Sequence, residues 1–156
     1  MPPIIRPATT KDLTAINDIY NHYVVHSTCT YQTIPATEEE RERWFRLHGE
    51  RHPVIVVEEN GEVIAWGSLS PLHERQAFMN SVEDSIYVHH QHLRRGLGRL
   101  ILTDLLRLAG EIGHHTVLGA ISMDQVASVR LHESFGFKQV AHFSEIGWKF
   151  DRWLDL

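Results

Sequence analysis

The segment from residue 78 to residue 113 is the feature that most constrains the fold of this chain. It begins with "FMNSVEDSIYVH", a run of residues that favour strands, and continues through the glycine-containing turn "LRRGLG". Apolar residues then recur at helical spacing up to the glycines at 110 and 113: Leu97, Leu100, Ile101, Leu105 and Leu108. A strand that turns directly into an amphipathic helix predicts a sheet with a helix packed on its face.

The N-terminal part of the chain predicts one strand followed by two helices. "IIRPA", residues 4–8, favours a short strand, and apolar spacing over residues 10–25 favours a first helix. Thr37 and Glu40 form a capping-box pattern that starts a second, charged helix. Its apolar side is predicted to carry Trp44, Phe45 and Leu47.

The remaining elements are predicted from turn residues and from runs that favour strands. Asn60 and Gly61 suit a tight turn between two strands. Residues 115–122 favour a strand, residues 125–136 a short helix, and residues 137–150 a closing strand pair interrupted near Gly147. The order is β-α-α-β-β-β-α-β-α-β-β, which predicts one α+β domain over residues 1–156.

Composition excludes several classes of protein. A net charge of −5, from 15 Lys and Arg against 20 Asp and Glu, argues against a nucleic-acid binder. Cys29 is the single cysteine and cannot form an internal disulfide. The twelve histidines are mostly scattered, with no C-x-x-C or H-E-x-x-H spacing, so no metal site is predicted. The start lacks signal-peptide features and no long apolar run occurs, so we expect a cytoplasmic protein without a membrane partner.

The turn before the third helix has the composition of a phosphate-binding loop. A helix begins with unpaired N–H groups and a partial positive charge, and glycines at 96 and 98 let the main chain approach an anion. Arg94, Arg95 and Arg99 could add charge-assisted bonds to phosphate oxygens. The alternative, from these residues alone, is an ordinary helix start with solvated arginines.

Four segments together resemble the GCN5-related N-acetyltransferase (GNAT) superfamily, and within it the phosphinothricin and methionine-sulfoximine acetyltransferases. They are "NDIYNHYVVHSTCTYQTIPATEEERERWF", "ERQAFMNSVEDSIYVHHQHLRRGLGRLIL", "SVRLHESFGF" and "IGWKFDRWLDL". The resemblance implies a mixed, mostly antiparallel sheet with splayed central strands that hold acetyl-CoA, and a homodimer. It places the cofactor against Ile86, Tyr87, Val88, Arg94, Arg95, Gly96, Leu97, Gly98, Arg99, Gln125 and Ser128.

The chain departs from the family pattern at four positions. Leu93 and Arg94 occupy the first two places of the cofactor loop, Gln125 replaces an asparagine, and Phe78 replaces a tyrosine. If the second loop position requires a left-handed conformation, Arg94 carries roughly 1 to 2 kcal/mol of strain.

The resemblance also implies roles in catalysis. Glu83 matches the family's general base, which takes the proton of the attacking amine directly or through water. His132 stands where many relatives carry a tyrosine that protonates departing coenzyme A; it could act as that acid, or relay a proton from the amine with Glu83, the role we favour. The residues alone, without the resemblance, favour an exposed strand carboxylate for Glu83 and a helix-surface histidine for His132.

Substrate contacts are expected from three further residues. Arg75 could hold a substrate carboxylate in bidentate geometry, and Tyr31 and Phe78 could wall the amine pocket. Cys29 has no pattern of an activated nucleophile, which favours direct transfer.

The predicted function is transfer of acetyl from acetyl-CoA to the α-amine of a small amino acid or an amino-acid-like toxin. Acetylation of a protein N-terminus or lysine is the second enzymatic hypothesis, and it requires an open groove. A non-catalytic acetyl-CoA-binding module is the third hypothesis.

Overall fold

The computed structural model describes all residues, Met1–Leu156, and contains seven strands and four α-helices. The strands are β1 Ile4–Pro7, β2 Val54–Glu59, β3 Glu62–Pro71, β4 Ser81–Val88, β5 Thr116–Leu118, β6 Gly147–Lys149 and β7 Arg152–Leu154. The helices are α1 Leu13–His26, α2 Glu38–Arg46, α3 Leu97–Ile112 and α4 Val126–Ser134. This confirms the predicted α+β order.

The first five strands form one sheet in the order β1-β2-β3-β4-β5. The first three pairings are antiparallel, whereas β4 and β5 run parallel over three residue pairs only, the last of which joins Glu83 to Leu118. Beyond this pair the two strands separate, which opens the sheet between β4 and the chain that follows β5. The splayed, mostly antiparallel sheet is the architecture that the sequence predicted.

Both faces of the sheet are covered, because successive residues of a strand point to opposite sides. On one face α3 buries Ile101 and Leu105 against Leu69 of β3. On the other, α1 packs Ile16 against Trp66 of β3. Burial on both faces explains why β2 reads as the continuous apolar run "VIVV".

Two local predictions are confirmed by hydrogen bonds and dihedral angles. The Thr37 hydroxyl accepts from the Glu40 N–H at 3.1 Å, and the Glu40 carboxylate accepts from the Thr37 N–H at 3.4 Å. Asn60 and Gly61 adopt φ of 52° and 82°, the left-handed pair that a tight hairpin turn requires.

Three predictions at element ends are wrong. Leu47 lies beyond the last residue of α2 and is 75% exposed, so it takes no part in the apolar side of that helix. The closing strand pair lies at 147–154, not at 137–150, because Phe150 and Asp151 take left-handed φ and form its turn. The strand predicted over 115–122 ends at Leu118, since residues 119–122 leave the sheet at the splay.

None of the helices is long and apolar enough to cross a membrane.

Candidate active site

Two neighbouring cavities occupy the opening between β4 and residues 119–122. The larger has a volume of about 380 Å³ and lies on the α1–α2 side of the sheet, and the smaller, about 90 Å³, reaches α4. Both are lined by Cys29, Glu83, Ser85, Tyr87, Ala120 and Ser122. The two cavities therefore share a wall, which is formed in part by Glu83, Ser85 and Tyr87 of β4.

Glu83 lies on this shared wall and no group of the protein hydrogen-bonds to its carboxylate. Burial raises the pKa of Glu83, because the charged form is desolvated, and the neighbouring Asp84 raises it further. An unpaired carboxylate with a raised pKa is better matched to accepting a proton near neutral pH than an exposed glutamate. This geometry differs from the exposed strand carboxylate that the residues alone allowed.

His132 is buried rather than at the helix surface, with 4% of its surface exposed. Its Nε2 lies 2.9 and 3.0 Å from the two carboxylate oxygens of Asp84, and its Nδ1 lies 2.8 Å from the carbonyl oxygen of Ser128. Burial disfavours the charged ring, but the Asp84 carboxylate and the Ser128 carbonyl outweigh it, so the pKa of His132 is raised. A carbonyl and a carboxylate oxygen both accept, so each ring nitrogen has a partner when His132 is an imidazolium, the form that the raised pKa favours.

Asp84 was missed by the sequence reasoning. It follows Glu83 on β4 and so points to the opposite face, towards α4. Two adjacent carboxylates inside a run of strand-forming residues are the signal that could have found it, because one of them has to face the interior.

Arg41 is the second residue that sequence reasoning missed. It lies in the glutamate-rich helix α2, yet only 5% of its surface is exposed. Its guanidinium lies 4.6 Å from the ring centroid of Tyr20, 4.7 Å from that of Trp44 and 5.8 Å from that of Trp66. It lines the larger cavity without any salt bridge, and burial lowers its pKa.

The turn before α3 has the geometry that a phosphate-binding loop requires. Gly96 adopts a φ of 77°, and the first helical bond joins the Leu100 N–H to the Gly96 carbonyl at 3.0 Å. The N–H groups of Leu97, Gly98 and Arg99 therefore have no partner within the helix. A Cβ added at Gly98 would lie 3.3 Å from Leu131 Cδ2, so the loop also packs closely on α4. These features fit a pyrophosphate group at the start of α3.

The three loop arginines differ in their contacts. Arg95 pairs with Glu59, and Arg99 donates to Ser134 Oγ at 2.8 Å and stacks over Phe135. Arg94 has no side-chain partner, and its φ is 61°, so the left-handed conformation considered from the sequence is present. The side chain of Leu97 is buried in the core, which leaves only its main chain for a ligand.

The other expected cofactor residues line the splay. The His89 N–H donates to the Ile64 carbonyl at 2.9 Å. In an antiparallel pair only every second residue bonds to the neighbouring strand, so the N–H and C=O groups of Ile86, three residues before His89, point away from β3. Tyr87 lines both cavities, whereas the Val88 carbonyl accepts a hydrogen bond from the Tyr23 hydroxyl. Gln125 and Ser128 line the smaller cavity.

Only one of the three expected substrate residues lies at the larger cavity. The Tyr31 hydroxyl is 2.9 Å from both Ser122 Oγ and the Asp155 carbonyl oxygen, which fixes its ring in the wall. Arg75 and Phe78 are exposed in the β3–β4 connection and line neither cavity. The structure does not bring these two side chains together with Glu83.

No group of three or more His, Cys, Asp or Glu side chains is arranged to hold a metal ion.

Comparison with known proteins identifies the family of this chain. Residues 16–137 match the acetyltransferase (GNAT) family model. An L-methionine sulfoximine/L-methionine sulfone acetyltransferase of Salmonella typhimurium is 39% identical over 97% of this chain and 90% of its own length. A phosphinothricin N-acetyltransferase of Streptomyces coelicolor is 35% identical over 97% of this chain and 91% of its own length.

A solved structure agrees with this assignment. The phosphinothricin acetyltransferase of Sinorhizobium meliloti, in complex with acetyl-CoA, superimposes with a TM-score of 0.94 at 30% identity and covers 99% of this chain and 85% of its own. The resemblance and the fold predicted from the sequence are thus confirmed. The chain belongs to the acetyltransferase (GNAT) family.

Proposed function

We propose that this protein transfers the acetyl group of acetyl-CoA to the α-amine of a small amino acid or an amino-acid-like toxin. The observation that carries the proposal is the unpaired Glu83 carboxylate at the junction of two cavities, one of which reaches α4. The named substrates of the relatives, methionine sulfoximine, methionine sulfone and phosphinothricin, support this substrate class.

The main chain of β4 and of the turn before α3 would hold the cofactor. The N–H groups of Leu97, Gly98 and Arg99 would bind the pyrophosphate, and Ile86 would offer main-chain groups in the splay. When bound, acetyl-CoA supplies a thioester whose carbonyl carbon accepts an amine. Arg94 is the loop arginine whose side chain is free to meet a phosphate.

Glu83 acts as the base. An ammonium group has no lone pair, so the amine has to lose a proton before its nitrogen attacks the thioester carbon. Glu83 takes this first proton, directly or through water. The C–N bond then forms and the C–S bond breaks, and the second proton of the amine accounts for the one that the coenzyme A thiol gains. The raised pKa of Glu83 brings its proton affinity closer to that of the amine.

His132 acts on the leaving group. Because both of its nitrogens donate, to Asp84 and to Ser128, the ring has no lone pair for the amine's proton. We therefore propose a role on the thiolate side instead of a relay with Glu83. The imidazolium, paired with Asp84, stabilises the departing sulfur and can give it the proton of one ring nitrogen, which then loses its hydrogen bond. The second proton of the amine restores the imidazolium.

Transfer is direct. Cys29 lines both cavities, but burial raises the pKa of its thiol and so disfavours the thiolate that an acetyl-cysteine intermediate would need. The larger cavity has the volume of a small-molecule site and aromatic walls, which favours a free amino acid over a peptide.

Residues 1–156 are proposed to act as one domain, in a homodimer. The exposed aromatic side chains of Trp148, Phe150 and Trp153 on the β6–β7 hairpin provide an apolar surface that would support such an assembly. Sedimentation of the purified protein tests this directly. A cytoplasmic location stays a prediction.

A thiol-release screen tests the proposal. The protein is incubated with acetyl-CoA and a panel of amino acids, methionine sulfone, methionine sulfoximine, phosphinothricin and short peptides. Release with free amino acids or their analogues supports the proposal, and release with peptides only assigns the second enzymatic hypothesis. Tight acetyl-CoA binding without release on any amine identifies a binding module.

A further inference from the structure

The guanidinium of Arg41 is a buried cation without a counter-ion. Its single hydrogen bond runs from Nε to Asn17 Oδ1, at 3.1 Å, and it takes part in none of the salt bridges of the protein. Buried charges are normally paired, because removal from water is costly when nothing replaces the hydration. The protein itself does not supply the pairing group.

The unpaired part of Arg41 is directed at the larger cavity. Neither terminal nitrogen of Arg41 has a hydrogen-bond partner in the protein. Both nevertheless remain accessible to solvent. They therefore reach the open space that Arg41 lines. The rings of Tyr20, Trp44 and Trp66 surround the guanidinium and hold it in place.

Arg41 and Glu83 lie at different ends of this cavity. Arg41 lies over Trp66, which pairs across the sheet with Tyr87, four residues along β4 from Glu83. At about 3.3 Å per residue, the positions of Tyr87 and Glu83 on β4 are roughly 13 Å apart. Glu83 is the only acidic side chain in the lining, so the cavity has one acidic and one basic end.

We infer that Arg41 binds the distal oxygen-bearing group of an amino-acid substrate whose α-amine lies at Glu83. The inference rests on the proposed function and names a subsite within it. A planar guanidinium whose two terminal nitrogens are free suits the paired oxygens of a phosphinate, a sulfone or a side-chain carboxylate. The separation of the two ends disfavours the α-carboxylate as its ligand, since that group is attached to the same carbon as the amine.

Matched pairs of substrates test this subsite. Methionine sulfone is compared with methionine, and glutamate with norvaline, so that each pair differs in the distal oxygens. The ratio of kcat/KM within each pair is measured for the wild type, Arg41→Lys and Arg41→Gln. Arg43→Gln is the control, because Arg43 is an exposed residue of the same helix.

Arg41→Gln is expected to lower the preference for the oxygen-bearing member by at least about tenfold, because a site built to bind polar groups discriminates strongly. Arg41→Lys keeps the charge but loses the planar fork, and should show an intermediate loss. Acetyl-CoA binding and the thermal transition are measured in parallel to verify that each variant is folded. If Arg41→Gln does not fold, Arg41→Lys alone decides.

An equal loss on both members of a pair would overturn the inference, since it would mean that Arg41 only supports the cavity wall. The inference would also be overturned if the Arg41 variants lost the preference of the wild type for amino acids over their α-amides, because Arg41 would then bind the α-carboxylate. Failure of the proposed function looks different, because the wild type would then release no thiol with any of these amines.

Discussion

The carboxylate of Asp84 accepts a hydrogen bond from Nε2 of His132, and the two side chains are only 3% and 6% exposed. The second ring nitrogen donates to the Ser128 carbonyl. The pair thus places an imidazolium, balanced by the Asp84 carboxylate, beside the smaller cavity, on the opposite face of β4 from the side chain of Glu83. Acid and base are separated because alternate residues of one strand face opposite sides of the sheet.

Asp84→Asn is predicted to lower the pKa of His132, because an amide cannot balance the imidazolium. The alkaline limb of the kcat profile should move to lower pH, and the protonated ring should be lost earlier in an NMR titration. Breaking a buried pair also costs about 3–5 kcal/mol, so the variant should unfold at a lower temperature. A kcat profile identical to that of the wild type would contradict the role of the pair.

The same pair predicts how stability depends on pH. The folded pKa of His132 is raised, so its contribution is fully present below the unfolded value near 6.5 and is lost as pH rises through the folded pKa. In this pH window the free energy of unfolding should depend less steeply on pH in Asp84→Asn than in the wild type. Chemical denaturation at several pH values measures this difference.

Glu83→Gln should lower kcat by on the order of 100 to 10,000-fold while leaving the affinity for acetyl-CoA unchanged. The amide has a similar shape but does not accept the amine's proton. Raising the pH should restore part of the rate, because more of the amine is then neutral without help. A near-wild-type kcat at neutral pH would show that water or another group removes the proton.

Gly98→Val should weaken acetyl-CoA binding, because even a Cβ at this position lies 3.3 Å from Leu131 and the branched side chain crowds the start of α3. Calorimetric titration with acetyl-CoA measures the effect. Gly110→Ala is the control: it lies in the same helix and has nothing within 4 Å of an added Cβ. Equal affinities in a folded Gly98→Val protein would remove this turn from the cofactor site.

Arg94→Gly should stabilise the protein, by up to about 1 kcal/mol, because glycine adopts the observed φ of 61° without the steric cost that a side chain carries. The gain is limited by the greater freedom of glycine in the unfolded chain. Acetyl-CoA affinity should fall at the same time, since Arg94 is the loop arginine without a partner. A lower melting temperature would refute the strain argument.

The parts of the fold that depend on local sequence were predictable. The turn at Asn60, the cap at Thr37 and the glycines before α3 each act within a few residues, and the structure has all three turns or caps. Leu47 was misplaced because a helix end depends on tertiary packing. The closing hairpin was shifted because Phe150 and Asp151 adopt left-handed φ without a glycine to indicate the turn.

The site was less predictable than the fold. Glu83 and Tyr31 line the larger cavity, whereas the structure leaves Arg75 exposed and outside it. Arg41 has the sequence context of a solvated arginine, and only the packing of α2 against α1 and β3 places it among aromatic rings. Its burial is a tertiary property that periodicity does not encode.

The most direct test of the account is the identity of the product. Methionine sulfone labelled on its α-nitrogen is incubated with acetyl-CoA labelled on its carbonyl carbon, and the product is examined by NMR and mass spectrometry with wild type and Glu83→Gln. The account predicts a directly bonded pair of labels in an amide, formed by the wild type and strongly reduced in Glu83→Gln. No labelled amide from the wild type with methionine sulfone or any other free amino acid, or an equal yield from both proteins, would contradict it.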